Sequence, residues 1–214
     1  MSEDGGTGLR ERKRLRTHQA ISEAAIRLFL ERGFDQVSVA EIAAAAEVSK
    51  PTLFKYFPTK EDLVLERFVD HIDEQARVVA GRPKGQSAIA ALRAHFLAAL
   101  AARDVTVGLD DREQTLTFQR LFFANPSLLR RAQERTSSEH GLAEAFRAEL
   151  RAGADDLGAR VAAAQIEAVT QLLVLDNLTR LLAGERAEDV YPDAVAAANR
   201  AFDLLADGLG DYPQ

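Results

Sequence analysis

An all-α fold is predicted by three features of this chain: helical spacing of its apolar residues, a helix-forming composition, and helix ends marked by capping residues. Alanine, leucine, arginine and glutamate dominate. β-branched residues rarely cluster, and no stretch alternates apolar and polar residues as a half-buried strand would. The capping signals and breaks divide the chain into about nine helices. They form a three-helix N-terminal domain over 10–63, joined by a long fourth helix to a larger helical domain over 64–214.

The first helix carries Ile21, Ala24, Ala25, Leu28 and Phe29 on one face. Gly33 suits its C-terminal cap, and Phe34 folds back onto the core. Ser38-Val39-Ala40-Glu41 is a capping box, in which the serine hydroxyl accepts the Glu41 amide and the glutamate reaches back. That second helix runs through Ile42 to Ala45. After the turn Ala46-Glu47-Val48, Ser49 caps a third helix, Lys50 to Tyr56, with Pro51 tolerated in its first turn. Pro58 prevents continuation, and Thr59 caps the fourth helix, which is expected to reach Val79. The segment 81–87, GRPKGQS, is the clearest linker, without the spacing of a phosphate loop. Further helices are expected near 87–102, 112–124, 126–152, 158–184 and 191–209. Arg103–Asp111 reads as a loop and Asn125-Pro126 as a break.

Composition removes several functions. The chain has 214 residues and no cysteine, which excludes disulfides, thiolate metal sites and cysteine nucleophiles. The best uncharged apolar run, Ala168 to Leu175, is too short for a membrane span. The acidic start MSEDGGTG does not read as a secretory signal, so a cytoplasmic location and no membrane partner are expected. The four histidines are far apart, and neither an H-E-x-x-H helix nor a G-x-S-x-G elbow occurs. No catalytic residue, metal or cofactor is expected. The net charge of −6 hides an asymmetry: residues 1–60 hold ten Lys and Arg against eight Asp and Glu. Arg10, Arg12, Lys13, Arg14 and Arg16 lie together against Glu11 alone. A basic segment on an acidic body suits local phosphate binding or a solvated tail.

The third helix is too short to be stable alone, yet its length suits the DNA major groove. Leu53, Phe54 and Phe57 are expected to anchor it through Ile42 and Val48, leaving Lys50, Thr52 and Lys55 outward. Residues 16–63, from RTHQAISEAAIRLF through VSKPTLFKYFPTKEDL, resemble the DNA-binding domain of the tetracycline-repressor (TetR) family. The resemblance runs from Gly33-Phe34 through Ser38-Val39, Val48-Ser49, Thr52-Leu53 and Tyr56-Phe57 to Lys60-Glu61-Asp62-Leu63. It implies a helix-turn-helix over 37–57 with Lys50 and Pro51 near base edges. Thr52 and Tyr56 would bind phosphates, with Lys60 gripping the backbone and Arg16 and Thr17, which open the first helix, contacting phosphates on the other side. Ser38, Ser49 and Lys55 complete the implied DNA-binding set. Three positions depart from the common pattern: Glu47 and Pro51 replace small residues, and Phe54 stands where tyrosine is frequent.

For the larger domain the resemblance implies ligand binding and dimerisation. Helix 158–184 is apolar over too wide a surface for one stripe, and the last helix is small-sided. Leu172, Leu175, Leu178, Leu182, Ala194, Ala198, Ala201, Phe202 and Leu205 are the candidate dimer interface, or else one broad core. His95, Phe96, Phe118, Gln119, Phe122, Phe123, Asp176 and Asn177 are the candidate pocket, or else ordinary core. The expected function is a homodimeric repressor that binds a palindromic double-stranded DNA operator and is released by a small hydrophobic effector. The alternatives are an activator of the same fold, an enzyme using the Arg103–Asp111 loop and Asp176, or a module whose basic tail docks on an acidic partner.

Overall fold

The computed structural model describes residues 5–66, 73–138, 141–150 and 157–209. Over these residues the chain is all-helical, as expected, with eleven α-helices and no strand. They are α1 (Gly5–Arg32), α2 (Val39–Ala45), α3 (Lys50–Tyr56), α4 (Asp62–Leu65), α5 (Glu74–Gly81) and α6 (Ala88–Ala101). After a 3-10 turn at Val105–Val107 come α7 (Glu113–Phe123), α8 (Pro126–Ser138), α9 (Gly141–Leu150), α10 (Leu157–Leu182) and α11 (Ala187–Leu209). The expected fourth helix includes α4 and α5, and the helix expected over 126–152 includes α8 and α9; the parts of these expectations at 67–72, 139–140 and 151–152 lie outside the described residues.

Two helix starts differ from expectation. α1 begins at Gly5, ahead of Arg16, because no glycine or proline interrupts Leu9 to Arg32 and Arg, Leu and Lys favour helix. α11 begins at Ala187 and carries Pro192 inside it, although the proline offers no amide to the preceding turn. A distant group supports this start: the Asp111 carboxylate accepts the Ala187 amide at 2.9 Å. Its neighbour Asp110 does the same work for α7, accepting the Arg112 amide at 3.0 Å and the Thr115 hydroxyl at 2.8 Å.

The helices form two compact units, divided within α7 and α8. In the N-terminal unit, residues 5–66 are joined by Thr117–Glu134, which the sequence assigned to the larger domain. The reason is burial: Phe118, Phe122 and Leu128 share one core with Ile21, Phe29, Ile42, Leu53, Phe57 and Leu63. In the larger unit α11 packs on α6 and α10, while α9 packs on α10 and α5. Leu100, Leu109, Phe146, Ile166, Val190 and Phe202 are fully buried there.

The 3-10 turn is seated directly on the backbone of α10. Gly108 has φ +69°, and a Cβ there would stand 2.4 Å from the Val174 carbonyl oxygen. The buried Asn177 amide donates to the Val107 carbonyl at 2.8 Å and locks the turn. Gly108→Ala is therefore expected to cost about 2 kcal/mol of unfolding free energy, from backbone strain and overpacking together. A urea titration followed by helical circular dichroism reads this directly; an unchanged midpoint would contradict the seating of the turn.

Candidate nucleic-acid interface

The two short helices α2 and α3 are held by local chemistry that the sequence announces. Ser38 and Glu41 form the full capping box, with the Ser38 amide donating to the Glu41 carboxylate at 2.8 Å. Arg32 donates to the same carboxylate at 2.7 Å. The amide and hydroxyl of Ser38 together with Arg32 hold the Glu41 carboxyl down at about 2. At the far end of α2 the Val48 amide reaches the Ala43 carbonyl and the Glu47 amide reaches Ala44, at 2.9 and 3.1 Å. This is a Schellman closure with Glu47 in the left-handed position at φ 53°, a conformation that suits glycine better. Ser49 then caps α3 by accepting the Thr52 amide at 3.2 Å.

α3 has one buried edge and one solvent edge. Leu53 and Phe57 are fully buried; Thr52 and Tyr56 are half-buried. Lys50, Pro51, Phe54 and Lys55 face outward. Phe54 corrects the expectation that all three apolar residues anchor the helix: it is 46% exposed. The reason is helical phase, since steps of about 100° set position 54 between 50 and 51 and about 100° round from the buried Leu53. Of the other residues expected at DNA, Ser38 and Ser49 spend their hydroxyls on the two caps. Thr52 shares a hydrogen bond with Ser49 at 2.8 Å, and Thr17 donates to the Lys13 carbonyl at 3.0 Å. Arg16 is exposed on α1, with Arg10, Arg12, Lys13 and Arg14 on the same helix.

Lys60 is placed differently from its expected grip on a DNA backbone. Its ammonium donates to the Phe34 carbonyl at 2.5 Å and lies over the Phe34 ring at 4.3 Å. Burial pushes its pKa down. The same corner holds an anchor between residues far apart in sequence. Asp62 is buried, accepts the Thr59 amide and hydroxyl, and takes a two-pronged hydrogen bond from Arg131 of α8 at 3.0 and 3.2 Å. The Thr59 hydroxyl in turn accepts the Asp62 amide, but α4 starts at Asp62 with Glu61 in the capping position, which corrects the expectation that Thr59 caps the fourth helix: Thr59 instead closes the turn ahead of it. Burial pushes the Asp62 carboxyl up, but the Arg131 and Thr59 bonds outweigh it and hold the pKa below the usual range. His18 adds a second brace, stacked on Phe57 at 4.7 Å with Glu66 3.2 Å away. Nothing local in the sequence signals Arg131 or His18, because each acts across a tertiary contact.

With this geometry in place, the likeness to known proteins is specific. Residues 21–66 match the family described as bacterial regulatory proteins, tetR family. Over that segment the chain carries a tetR-family domain. TcmR of Streptomyces glaucescens, an HTH-type transcriptional regulator, is 32% identical over 142 residues, which are 65% of this chain and 62% of TcmR. LuxR of Vibrio harveyi, also an HTH-type transcriptional regulator, is 41% identical over 61 residues, 28% of this chain and 29% of LuxR. The matches thus span less than two thirds of these relatives. Among solved structures, NalD of Pseudomonas aeruginosa covers 86% of this chain and 96% of its own, with TM-score 0.55 and 20% identity. SmeT in its triclosan complex covers 90% of each chain, with TM-score 0.53 and 16% identity. At such identities the likeness is one of fold.

The candidate pocket residues fall in both units. Phe118 and Phe122 belong to the N-terminal core, and Phe96 to the larger unit's core, 5.9 Å from Phe202. His95 lies 3.1 Å from Glu74, Asp176 is exposed, Phe123 is half-buried and Asn177 is spent on the Val107 carbonyl. Gln119 is different: it is only 6% exposed, and its side chain makes no hydrogen bond among the described residues. The interface candidates also divide. Leu178, Ala194, Ala198, Phe202 and Leu205 are buried within the chain's own fold, which removes them from any surface offered to a partner. Leu175, Leu182 and Ala201 are half-buried, and Leu172 is 68% exposed, as is Leu204 at 73%.

The Asp62–Arg131 anchor makes a pH-dependent prediction. Arg131→Met leaves a buried carboxylate short of its charged donor and is expected to cost about 2 kcal/mol near neutral pH. The folded carboxyl titrates below the unfolded one, so this stabilisation is complete above about pH 4 and is lost as the pH falls through the lower folded value. The stability gap between parent and variant should therefore narrow in acid, as measured by urea titrations at pH 7 and pH 3. A constant gap would remove the anchor's electrostatic role.

Proposed function

We propose that this chain is a DNA-binding transcriptional repressor that works as a homodimer and is released by a small apolar effector. The observation that carries the DNA-binding part is the outward face of α3. Lys50, Pro51, Phe54 and Lys55 project from a helix whose other edge is pinned by Leu53 and Phe57. A capped, rigid rod with two lysines outward fits a groove about 12 Å wide. The exposed basic run Arg10–Arg16 on α1 supplies sequence-independent phosphate contacts, which fix position while base contacts specify. Lys60, held on Phe34, serves the fold at that corner.

The dimer follows from the need to present two reading helices to two half-sites. The exposed Leu172 on α10 and Leu204 on α11 support an interface on those helices. NalD, similar in fold, is described as a secondary repressor of the MexAB-OprM efflux pump, which supports the repressor reading. SmeT, also similar in fold, is known with triclosan bound, which supports a small apolar effector. Gln119 gives that effector a polar anchor, because a buried amide without hydrogen bonds is costly unless something else satisfies it.

Fluorescence anisotropy with duplexes drawn from the DNA flanking the gene tests the proposal. Salt-sensitive, sequence-selective binding is expected, weakened about ten-fold or more by Lys50→Ala. Lys55→Ala is expected to weaken binding to all duplexes alike and to lower the salt slope by about 1. Absence of binding at any salt would overturn the proposal. For the effector site, Gln119→Met keeps the side-chain volume and removes the unmet amide. Its thermal midpoint is expected at or above that of the parent chain, and a clear drop would take away the support that Gln119 lends.

A further inference from the structure

We infer that the centre of the α3 face reads thymine methyl groups, with Phe54 as the specificity-determining residue and Pro51 beside it. The inference rests on the DNA-binding reading above and deepens it. Steps of about 100° order the outward residues around the helix as Lys50, Phe54, Pro51, Lys55. The two lysines therefore form the rims, and the two apolar rings share the middle, three residues apart and in contact range of one another. Phe54 is 46% exposed although the adjacent Leu53 is fully buried, so the ring is withheld from the core by the phase of the helix.

The chemistry of this strip selects its partner. Its centre offers no hydrogen-bond donor or acceptor side chain, and Pro51 lacks even a backbone amide. The Thr52 hydroxyl, at the buried edge, is already bonded to Ser49. A guanine or adenine edge needs donors or a bidentate amide to satisfy it, and only the lysine rims can supply donors. The feature of the major groove that an apolar ring matches is the thymine C5-methyl. The occupant is a duplex and not an apolar peptide because the strip is bordered by Lys50 and Lys55, and the same unit carries the exposed cations Arg10, Arg12, Lys13, Arg14 and Arg16. That charge complements phosphates on both sides of a groove.

The test uses the full chain and a duplex selected by it from a random 30-base-pair pool. Each thymine of the selected site is replaced in turn by 2′-deoxyuridine, which removes one methyl and leaves every hydrogen-bonding edge intact. At one or two thymines in each half-site the parent chain is expected to lose about four-fold in affinity per methyl, the worth of one buried methyl group. With Phe54→Ala the same replacements should cost less than two-fold, while Lys50→Ala should leave the uracil penalty unchanged. Phe54→Leu, which keeps an apolar side chain, should retain part of the penalty. Since Phe54 lies outside the core, both variants should keep the parent's thermal midpoint, and a loss of more than a few degrees would contradict its placement. A uracil penalty equal in parent and Phe54→Ala, or absent from the parent, overturns the inference and leaves the DNA-binding proposal standing. Failure to select any duplex overturns both.

Discussion

A helix of seven residues cannot hold itself in water, because the cost of its first turn is repaid only over about a dozen residues. α3 is such a helix, so its rigidity must come from outside, and much of the N-terminal unit is arranged to supply it. Ser49 satisfies the Thr52 amide at its start. Leu53 and Phe57 sink one edge into a core built with Ile21, Phe29, Ile42 and Leu63. Behind that core stands the Asp62–Arg131 anchor, which ties α4 to α8, and the Lys60 contact, which ties the start of α4 to the corner after α1. The outward residues of α3 are free for recognition because none of them is needed to hold the helix.

That division of labour explains which parts were legible in the sequence. The caps at Ser38 and Ser49 act over three residues, so local spacing reveals them. The helix-turn-helix and the all-α class were therefore clear. Residue type alone puts Phe54 on the core side, whereas the roughly 100° phase of a helix sets it beside Lys50 and Pro51. The early start of α1 was also available in the unbroken run from Leu9 to Arg32. What local reading has no access to is the role of residues joined across the fold. Arg131 reaches Asp62, Asp111 starts α11, and Lys60 turns to Phe34. Each is a charged side chain that would read as surface until its partner is known.

The larger unit shows the same limit in its apolar residues. A helix rich in leucine and alanine announces burial without saying whether the cover is its own chain or a partner. Packing resolves this for α10 and α11: Leu178, Ala194, Ala198, Phe202 and Leu205 belong to the internal core, whereas Leu172 and Leu204 point away from it. The loop 103–111, which carried an enzymatic alternative, is structural in detail. Gly108 lets it lie on α10, Asn177 locks it, and Asp110 and Asp111 are committed to helix starts. Gln119 is left as the buried polar side chain whose chemistry the described residues do not complete.

The central claim is that α3 is preformed, held by its core edge before any partner arrives. Native-state hydrogen exchange of the α3 amides in the free protein tests it most directly. The amides of Leu53 to Phe57 should exchange with protection close to that of the buried turn of α1 around Ala25 and Phe29, since they open only when that core opens. Exchange of those amides at rates near those of an unstructured peptide, while α1 stays protected, would contradict the account.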